Sequence, residues 1–485
     1  MNSVFSQLTG MFNTPWFYGV LTLLYAITIL AIISIVISEN RNPVKSLAWV
    51  TVLLLFPAGG IVLYIFFGRS IKNARLISRR QKRRLRGIRQ MDGASGTPKR
   101  LSPENRQQVQ LARSLGAGGF YEGNNIEIYA SGHDKFLALE KDLRQAKEFI
   151  YLQYYIFEDD EIGRRIAGIL MEKARAGVKV RVCYDHVGSF HVRNRFFKTM
   201  RSAGVEIYPF FKVVFPLFAT RINWRNHRKL VIIDGKTGYI GGMNIADRYI
   251  NGGKFPLWRD IHARISGPAV SALHYSFACD WALMRKDIIT DNSTAISGGD
   301  TNGTAGIQML TSGPTDRWGN IELQFLKAIS NAKRRIYIQT PYFLPPESLL
   351  RALQAAALAR VDVRVMMPTH SDSRILTFAS RSYIAESIAA GIKIYLYDAG
   401  MLHSKMMIVD DDFATLGSTN FDFRSFEHNF ESNIFIFSRE INARLSTIFA
   451  EDMTSSRRVR SSEWRHRPIH HRALESLMRP LSPIL

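Results

Sequence analysis

The spacing of hydrophobic positions divides the chain into an apolar N-terminal part and a longer part with alternating patterns. Residues 16–38 and 46–68 are two runs without a charged side chain, joined by a short polar turn. At about 1.5 Å per residue, each run would be roughly 35 Å long as a helix, enough to cross an acyl core of about 30 Å. The pattern predicts two transmembrane helices, or a re-entrant hairpin, since Pro57, Gly59 and Gly60 interrupt the second run.

A basic segment follows the second apolar run. Ten Lys or Arg side chains and no acidic side chain lie between Arg69 and Arg89. The positive-inside rule therefore predicts that the bulk of the chain lies in the cytoplasm, and the segment is expected to bind anionic head groups. A signal peptide is the weaker interpretation, because no basic segment precedes the first run and a second run follows at once.

From residue 125 onward, strand-like and helix-like patterns alternate. Residues 149–157 (FIYLQYYIF) and 178–185 (VKVRVCYD) predict buried strands, and residues 164–177 between them predict an amphipathic helix that ends at Gly177. This alternation predicts an α/β fold with a mostly interior sheet. Residues 90–120 are rich in Gly, Ser, Gln and Arg, which predicts a linker or a loose helix.

The same order of elements returns in the second half of the chain. Residues 322–343 parallel 136–157, residues 361–368 parallel 178–185, and residues 390–397 parallel 203–210. An internal duplication explains this repetition. The predicted division is into a membrane segment at 1–68, a basic juxtamembrane linker at 69–120, a first α/β domain at 121–295 and a second at 305–485.

The two halves differ in one loop. Gly204 and Gly391 are 187 positions apart, whereas His227 and His403 are 176 apart, so the first half carries about eleven more residues. They lie in the apolar and aromatic loop 211–226, which contains Phe211, Phe215, Phe218 and Trp224 next to Phe210. Core packing is the simpler interpretation of this loop, and a substrate-facing or membrane-facing lip is the alternative.

Charge narrows the class of partner. The formal net charge of the 485-residue chain is +23, which predicts an anionic partner, either nucleic acid or a phospholipid surface. The apolar runs favour the phospholipid. Cys183 and Cys279 are the two cysteines, and so few cysteines exclude a disulfide scaffold and a Cys-rich metal site.

Each half carries a His-x-Lys-x4-Asp motif, followed at identical spacing by a glycine and an asparagine. The first copy contains His227, Lys229, Asp234, Gly241, Gly242 and Asn244, and the second contains His403, Lys405, Asp410, Gly417, Ser418 and Asn420. One such pattern is weak evidence because short motifs occur by chance. Two copies in duplicated halves are strong evidence for a site.

The motif suits a phosphodiester substrate. His and Lys two positions apart on a strand face the same side. Lys supplies charge to nonbridging oxygens while an imidazole attacks phosphorus. Attack needs an unprotonated ring and departure of an alkoxide needs a proton donor, so two histidines are the minimum. The asparagines can donate further hydrogen bonds to phosphate, and Asp260 or Glu431 can hold an imidazole in one tautomer.

The remaining motif positions carry a weaker prediction. Asp234 and Asp410 complete the catalytic set, yet each ends a strand before a turn, which favours a backbone-bonding role over proton transfer. The less favoured alternative is that the His and Lys side chains are ordinary surface groups. No metal is expected, because no ligand cluster surrounds either motif and a lysine two residues from a ligand would oppose a cation. No cofactor is expected either.

The paired motifs resemble those of the phospholipase D superfamily. Further segments are similar to bacterial cardiolipin synthases, so that the resemblance covers nearly the whole chain: LLLFPAGGIVLYIFFGR, WRDIHARISGPAV, IQTPYFLPP, NFDFRSFEHNFESN and PLSPIL. It implies two phospholipase D-like α/β domains that form one pseudo-two-fold active site. It also implies His227 as nucleophile and His403 as acid and base. The chain departs from the family where Gly242 replaces the usual serine, which leaves Ser418 as the hydroxyl contact to phosphate.

The resemblance further implies an activity and a location. The implied reaction transfers a phosphatidyl group between two phosphatidylglycerol molecules through a phosphohistidine, giving cardiolipin and glycerol. The implied partners are these lipids and the anionic inner membrane of a bacterium, without nucleic acid, and homo-oligomerisation stays open. Alternatives are a phosphatidylserine synthase or phospholipase on the same fold, a nuclease, and a membrane-tethered protein that binds anionic lipid. The apolar runs argue against the nuclease, and the intact motifs argue against the binding protein.

Overall fold

The computed structural model describes residues 15–38, 43–64, 101–116, 119–213, 223–285, 289 and 302–483. The described residues 15–38 and 43–64 belong to one compact unit. The described residues of 101–213 and 224–483 belong to a second unit, which contains both sequence repeats. The basic segment 69–89 and most of the aromatic loop, residues 214–222, lie outside the described residues.

The first unit is helical. Its described helices are α1 (Pro15–Ser38), α2 (Pro43–Leu55) and α3 (Pro57–Leu63). The interruption predicted at Pro57 separates α2 from α3, with Pro57 in the first helical turn, where its missing N–H costs nothing. Gly60 lies so close to α2 that a Cβ there would come within 2.9 Å of the Val52 carbonyl oxygen. No helix in the described part of the chain combines the length and apolarity needed to cross a membrane.

The second unit begins with helix α4 (Pro103–Ser114), and the two repeats follow. The elements of the first repeat are β1 (Phe120–Tyr129), α5 (Gly132–Gln145), β2 (Phe149–Tyr154), α6 (Glu161–Arg175), β3 (Lys179–Asp185), α7 (Asn194–Ser202), β4 (Glu206–Phe210), β5 (Leu230–Ile233), β6 (Thr237–Gly241), α8 (Arg248–Asn251), β7 (Trp258–Arg259), β8 (His262–Ser266) and α9 (Val270–Arg285).

The second repeat follows a similar order and has additional short strands. Its elements are β9 (Ala305–Ser312), α10 (Asn320–Asn331), β10 (Arg335–Gln339), β11 (Phe343–Leu344), α11 (Glu347–Leu358), β12 (Asp362–Pro368), α12 (Arg374–Arg381), α13 (Ile384–Ala389), β13 (Lys393–Tyr397), β14 (Met401–Leu402), β15 (Met406–Val409), β16 (Phe413–Gly417), β17 (Phe421–Asp422), α14 (Phe423–Glu427), β18 (Glu431–Phe437), α15 (Arg439–Thr454), β19 (Ser456–Arg458), α16 (Ser461–Arg465) and α17 (Ile469–Met478), before a 3-10 turn at Arg479–Leu481.

Fifteen of the described strands form one mixed sheet. Its order is β19-β13-β12-β10-β15-β16-β18-β9-β1-β8-β6-β5-β2-β3-β4. The first repeat contributes seven strands, and the second contributes seven in mirrored order with β19 added at the edge. The repeats join where β1 and β9 pair antiparallel. The duplicated α/β fold predicted from the sequence is confirmed.

The strands are buried on both faces. In β2, Tyr151 belongs to a cluster that contains residues of α9 and α15, whereas Ile150 and Leu152 belong to a cluster that contains residues of α5, α6 and α7. Alternate side chains of a strand point to opposite faces, so helices cover the sheet on two sides. This is why residues 149–157 read as a continuous apolar run.

Helix α4 departs from the predicted linker at residues 69–120. Val109 and Ala112 are buried in the core of the second repeat. Gln108 and Gln324 exchange side-chain to main-chain hydrogen bonds at 2.7 and 3.0 Å. Residues 103–114 therefore belong to the α/β unit and pack on α10.

Strand directions place both motifs at corresponding edges. β2, β3 and β4 are parallel, and β5 runs antiparallel to β2. β5 therefore begins beside the carboxyl end of β2, directly after Lys229. In the second repeat β10, β12 and β13 are parallel and β15 runs antiparallel to β10, so Lys405 has the corresponding position.

Candidate active site

The main chain before each motif histidine pairs with the other repeat. The His227 amide donates to the Phe430 carbonyl at 2.9 Å, and the Phe430 amide donates to the Arg225 carbonyl at 2.8 Å. In the converse arrangement, the His403 amide donates to the Arg259 carbonyl at 2.6 Å, next to the parallel pairing of β14 with β7. Both histidines are thus fixed at the junction of the repeats.

Each motif histidine is oriented by a carboxylate from the other repeat. Nδ1 of His227 lies 3.0 Å from Oε1 of Glu431. Nδ1 of His403 lies 2.6 Å from Oδ2 of Asp260. A carboxylate on Nδ1 holds the proton there and leaves Nε2 with a lone pair. The structure therefore brings together both histidines and both carboxylates that the sequence singled out.

Each motif lysine is fully buried beside its histidine. Nζ of Lys229 donates to the His227 carbonyl at 2.6 Å. Nζ of Lys405 donates to the His403 carbonyl and lies 2.7 Å from Nδ1 and 3.3 Å from Nε2 of the same imidazole. The two copies differ here, because among the described residues Nε2 of His227 has no hydrogen-bond partner.

Burial favours the neutral form of both imidazoles. It lowers the pKa of His227, and the Lys229 cation lowers it further against the opposing effect of Glu431. Burial and the Lys405 cation lower the pKa of His403 to about 4. Both rings are therefore neutral near pH 7 without substrate, as a nucleophile or a general base requires.

The carboxylates stay ionised despite their burial. Burial alone would raise the pKa of Asp260, but Lys405 and His403 hold it below its ordinary value. Burial would also raise the pKa of Glu431, but His227 and Lys229 lower it below its ordinary value. Burial also lowers the pKa of Lys405, while Asp260 acts against that shift. An ionised carboxylate can stabilise an imidazolium that forms during a reaction.

Ser418, for which the resemblance implies a phosphate contact, lies beside Glu431 and His227. Its hydroxyl donates to Oε2 of Glu431, and its carbonyl lies 3.0 Å from Nδ1 of His227. Ser418 therefore supports the carboxylate that orients His227. At the equivalent position of the first repeat, a Cβ on Gly242 would come within 2.2 Å of Oδ1 of Asp260, so the close approach of this carboxylate explains the glycine.

The two motif asparagines are buried but differ in their contacts. Oδ1 of Asn244 accepts from the Ile156 amide at 3.1 Å, and its Nδ2 donates to the Tyr249 hydroxyl at 2.8 Å. Oδ1 of Asn420 has no hydrogen-bond partner among the described residues. Asn244 thus connects the end of β2 to α8, whereas Asn420 keeps an unused polar atom.

Asp234 and Asp410 bond main-chain amides, which is the kind of role that the sequence favoured for them over proton transfer. Asp234 accepts hydrogen bonds from the main-chain amides of residues 147, 148 and 149 at 2.8 to 2.9 Å. Asp410 does the same for residues 333, 334 and 335 at 2.8 to 3.1 Å. Seven residues of extended chain, at about 3.3 Å each, separate each aspartate from its histidine by roughly 20 Å.

Several residues of the site could not be recognised from the sequence. The Tyr155 ring lies edge-on to His227 with centroids 4.9 Å apart, and the Trp258 ring lies 5.6 Å from His403. Arg228, inside the first motif, points away from His227 and donates to Asp280 at 2.6 Å. Only the alternation of strand side chains could have predicted the orientation of Arg228.

The described residues contain no group of three or more His, Cys, Asp or Glu side chains arranged to hold a metal ion. The carboxylates of Asp260 and Glu431 each contact a histidine. The Asp260 carboxylate also lies 3.8 Å from Nζ of Lys405. A lysine at this distance would oppose a cation. The arrangement is instead suited to an anion that meets two lysines and two imidazoles.

Comparison with protein families matches both repeats. The model described as cardiolipin synthase, phospholipase D-like domain, matches residues 139–265 and 325–453. The phospholipase D-nuclease N-terminal model matches residues 26–69. The matched ranges contain both copies of the His-x-Lys motif.

Curated relatives align along nearly the whole chain. The major cardiolipin synthase of Bacillus subtilis (strain 168) is 39% identical over 476 residues, which cover 96% of this chain and 98% of that protein. A cardiolipin synthase of Halalkalibacterium halodurans is 38% identical over 491 residues, covering 99% and 96% of the two chains.

A solved structure shares the fold. The crystal structure of phosphatidylserine synthase from Haemophilus influenzae Rd KW20 superposes with a TM-score of 0.61 at 14% identity, covering 78% of this chain and 100% of that chain. At this identity the likeness concerns the fold alone. The family models and the full-length relatives go further, and they place this chain in the cardiolipin synthase family of the phospholipase D superfamily.

Proposed function

We propose that this chain transfers a phosphatidyl group from one phosphatidylglycerol to another and releases cardiolipin and glycerol. The observation that carries the proposal is the exchange of carboxylates, in which Glu431 orients His227 and Asp260 orients His403. Two imidazoles with occupied Nδ1 atoms offer two Nε2 atoms for one phosphodiester. The identity of the relatives, which are named cardiolipin synthases, supports the choice of lipids.

In the first half of the reaction, Nε2 of His227 attacks the phosphorus of the donor lipid. The bond between phosphorus and the head-group glycerol oxygen breaks, and His403 protonates that oxygen. His227 is the better nucleophile because its Nε2 has no polar partner among the described residues, whereas Lys405 lies 3.3 Å from Nε2 of His403. Glu431 stabilises the positive charge that forms on His227.

In the second half, a glycerol hydroxyl of the acceptor lipid attacks the phosphohistidine. His403, now neutral, removes the proton from this hydroxyl, and the bond between phosphorus and His227 breaks. His403 thus regains the proton it gave up, and both histidines return to their starting state. One phosphodiester replaces another of similar energy, so the reaction needs no nucleotide.

The substrate itself prepares His403 for the first step. Without substrate, burial and Lys405 keep His403 neutral, whereas a general acid must carry a proton. A bound phosphodiester is an anion, and a negative charge next to an imidazole raises its pKa. Lys229 and Lys405 supply charge to the nonbridging oxygens, as the transition state requires.

The membrane assignment is part of the same proposal. Residues 1–68 would anchor the chain in the bacterial inner membrane through two spanning or re-entrant segments. Residues 69–120 would connect the anchor to cytoplasmic domains at 121–295 and 305–485, with helix α4 packed on the second of these. The uncharged runs and the ten basic residues that follow them support this arrangement, and so does the match of residues 26–69 to an N-terminal family model.

Lipid analysis tests the proposed reaction. Purified full-length protein in detergent is incubated with phosphatidylglycerol alone, or with serine, glycerol or phosphatidylethanolamine added, and the lipids are measured by mass spectrometry. We expect cardiolipin and an equal amount of glycerol from phosphatidylglycerol alone. Phosphatidic acid as the main product would indicate a phospholipase, and phosphatidylserine would indicate a different transferase.

A labelling experiment tests the proposed orientation. Single cysteines are placed at Asn40, between the apolar runs, and at Lys198 on α7, in a chain whose Cys183 and Cys279 are replaced by serine. An impermeant maleimide applied to intact spheroplasts should leave position 198 unlabelled until the membrane is broken. Labelling of position 198 in intact spheroplasts would contradict the cytoplasmic location of the domains.

A further inference from the structure

Large apolar side chains are exposed at the end of the sheet where both motifs lie. Five of them are Phe190 (72% exposed), Trp318 (51%), Ile375 (49%), Leu257 (43%) and Ile250 (39%). Single exposed apolar residues are ordinary on a protein surface, whereas a group gathered around a site indicates an interaction surface. These five residues are called the apolar rim below.

Phe190 lies close to the residue that packs on His227. Its loop follows the carboxyl end of β3. The hydroxyl of Ser189, the preceding residue, donates to the Tyr155 carbonyl at 3.4 Å. The Tyr155 ring lies edge-on to His227 with centroids 4.9 Å apart. Phe190 therefore lies on the side of the site that holds the attacking histidine.

Ile250 and Leu257 lie next to residues that contact His403. Tyr249 precedes Ile250, and its ring centroid is 6.2 Å from that of His403. Trp258 follows Leu257, and its ring centroid is 5.6 Å from that of His403. Both rim residues therefore lie on the side of the site that holds the proposed general acid.

Trp318 and Ile375 lie at the same end of the sheet in the second repeat. Ser312, the last residue of β9, pairs with Glu431 at the start of β18, so the segment that carries Trp318 leaves the sheet beside Glu431. Ile375 lies in the first turn of α12, after the carboxyl end of β12, which runs parallel to β10. The rim thus comes from four segments of both repeats.

Each of these segments also carries a cation. Four basic side chains are exposed and form no ion pair with a described residue: Arg193, Lys254, Arg317 and Arg374. Arg317 lies over the Trp318 ring at 4.9 Å. The acidic side chains nearest in sequence to the rim residues are already bonded to described residues: Asp185, Asp247, Asp260, Asp316 and Asp372. The rim therefore presents apolar groups together with uncommitted positive charge.

Apolar side chains flanked by Lys and Arg suit the interface of a membrane. The apolar groups enter the boundary between head groups and acyl chains, while the cations meet lipid phosphates. Long basic side chains keep their charge at the head groups when their stems lie on apolar surface. An anionic bilayer complements both features, whereas nucleic acid would complement the cations alone.

We propose that the apolar rim docks on an anionic phospholipid bilayer, with Phe190 and Trp318 among the head groups and upper acyl chains. The inference rests on the proposed function, because docking places the end of the sheet that carries both imidazoles against the lipids of that reaction. Since rim residues come from both repeats, one bilayer can supply the donor and the acceptor.

Quenching by brominated lipid tests the docking without using catalysis. Single cysteines at Phe190, Trp318 or Leu358 carry an environment-sensitive fluorophore. The full-length chain, with Cys183 and Cys279 replaced by serine, is placed in nanodiscs of phosphatidylglycerol brominated along its acyl chains. We expect quenching at positions 190 and 318 but not at 358. Leu358 is the matched control, because it is exposed at the end of α11, where β12 begins, and so at the opposite end of the sheet.

Three results would overturn the proposal. The first is equal quenching at position 358, or none at positions 190 and 318. The second is a fluorophore at position 190 that is shielded from aqueous iodide but not quenched by brominated lipid, which would assign the rim to another protein chain. The third is equal quenching in discs of brominated phosphatidylcholine, which would exclude a requirement for anionic lipid.

Activity gives a second measurement in a chain with its own cysteines. Phe190→Ser/Trp318→Ser should lower cardiolipin formation in phosphatidylglycerol nanodiscs about tenfold, because two apolar side chains are lost from the contact with the bilayer. Exchange of isotope-labelled glycerol into dihexanoyl phosphatidylglycerol, which is dissolved as monomers, should stay unchanged. Leu358→Ser should leave both reactions unchanged.

The outcomes separate the two proposals. An equal loss of both reactions in the Phe190→Ser/Trp318→Ser variant would contradict a docking role, since monomeric lipid needs no bilayer. Wild-type protein that performs neither reaction would contradict the proposed function instead, whereas the quenching at positions 190 and 318 does not depend on activity.

Discussion

Glu431 in the second repeat lies 3.0 Å from Nδ1 of His227 in the first. Asp260 of the first repeat has the converse relationship with His403, at 2.6 Å. Neither repeat therefore contains a complete pair of histidine and carboxylate. A change in one repeat is expected to act on the histidine of the other.

The first prediction concerns Glu431→Gln. The amide fits the same space but cannot stabilise an imidazolium, so we expect kcat to fall by about 10²- to 10⁴-fold while KM changes little. Cardiolipin formation by the detergent-solubilised protein is the measurement. Glu440→Gln, an exposed glutamate on α15, is the control and should keep full activity. Wild-type kcat in Glu431→Gln would contradict the assigned role.

A second prediction separates the two histidines. A phosphatidyl ester of p-nitrophenol has a leaving group that needs no protonation. We expect His403→Ala to release about one equivalent of p-nitrophenolate per chain in a burst and then stop, with the lipid held on His227. His227→Ala should release none. A burst in His227→Ala but not in His403→Ala would reverse the assigned roles.

The pH dependence of the attack follows from the lowered pKa of His227. Attack needs a neutral imidazole, and burial lowers the pKa of His227 below its ordinary value. The p-nitrophenyl lipid needs no protonation of its leaving group, so the burst rate of His403→Ala should stay level as pH falls through 7 and decline only below the ordinary histidine value of about 6.5. The measurement is this burst rate across the acidic and neutral range. An acidic limb centred above the ordinary pKa of histidine, about 6.5, would contradict the lowered value.

Gly242 and Ser418 provide a reciprocal pair of variants. Gly242→Ser should nearly abolish activity, because its Cβ would come within 2.2 Å of Oδ1 of Asp260 and displace the support of His403. Ser418→Gly removes one hydrogen bond to Glu431 and should cost only about tenfold in kcat. Activity and thermal unfolding are measured for both. An active Gly242→Ser variant would show that the approach of Asp260 is not required.

Asp234 is expected to affect stability more than activity. Asp234→Ala removes three hydrogen bonds to the start of β2 and should lower the free energy of unfolding by about 1–3 kcal/mol, with kcat largely retained. Glu172→Ala, which breaks an exposed ion pair with Arg144, should cost less than about 1 kcal/mol. Loss of activity in folded Asp234→Ala would argue for a role in the reaction.

The sequence was sufficient for what depends on local pattern and repetition. The strands at 149–154 and 179–185, the duplicated order of elements and the edge position of both motifs follow from periodicity and strand direction. Asp260 and Glu431 could be selected as partners of the histidines because each lies on a segment that follows a motif.

The assignment of each carboxylate to its histidine could not be read from the sequence. Glu431 is 204 positions from His227, and no local pattern specifies a contact across the junction of two repeats. The resemblance implied that Ser418 contacts the phosphate. A hydroxyl can donate a hydrogen bond to a phosphate or to a carboxylate, and the sequence alone does not show which of the two lies beside it. The region of α4 was expected to be a linker or a loose helix, because its buried positions, such as Gln108, are partly polar.

The junction of β1 and β9 has a consequence for how the two halves could diverge. If a site of this kind were assembled from two separate copies of one repeat, every substitution would occur on both sides at once. Joined in one polypeptide, the halves can mutate independently. Gly242 opposite Ser418 and Asp260 opposite Glu431 show such independent change, which lets one imidazole specialise as nucleophile while its twin specialises in moving protons.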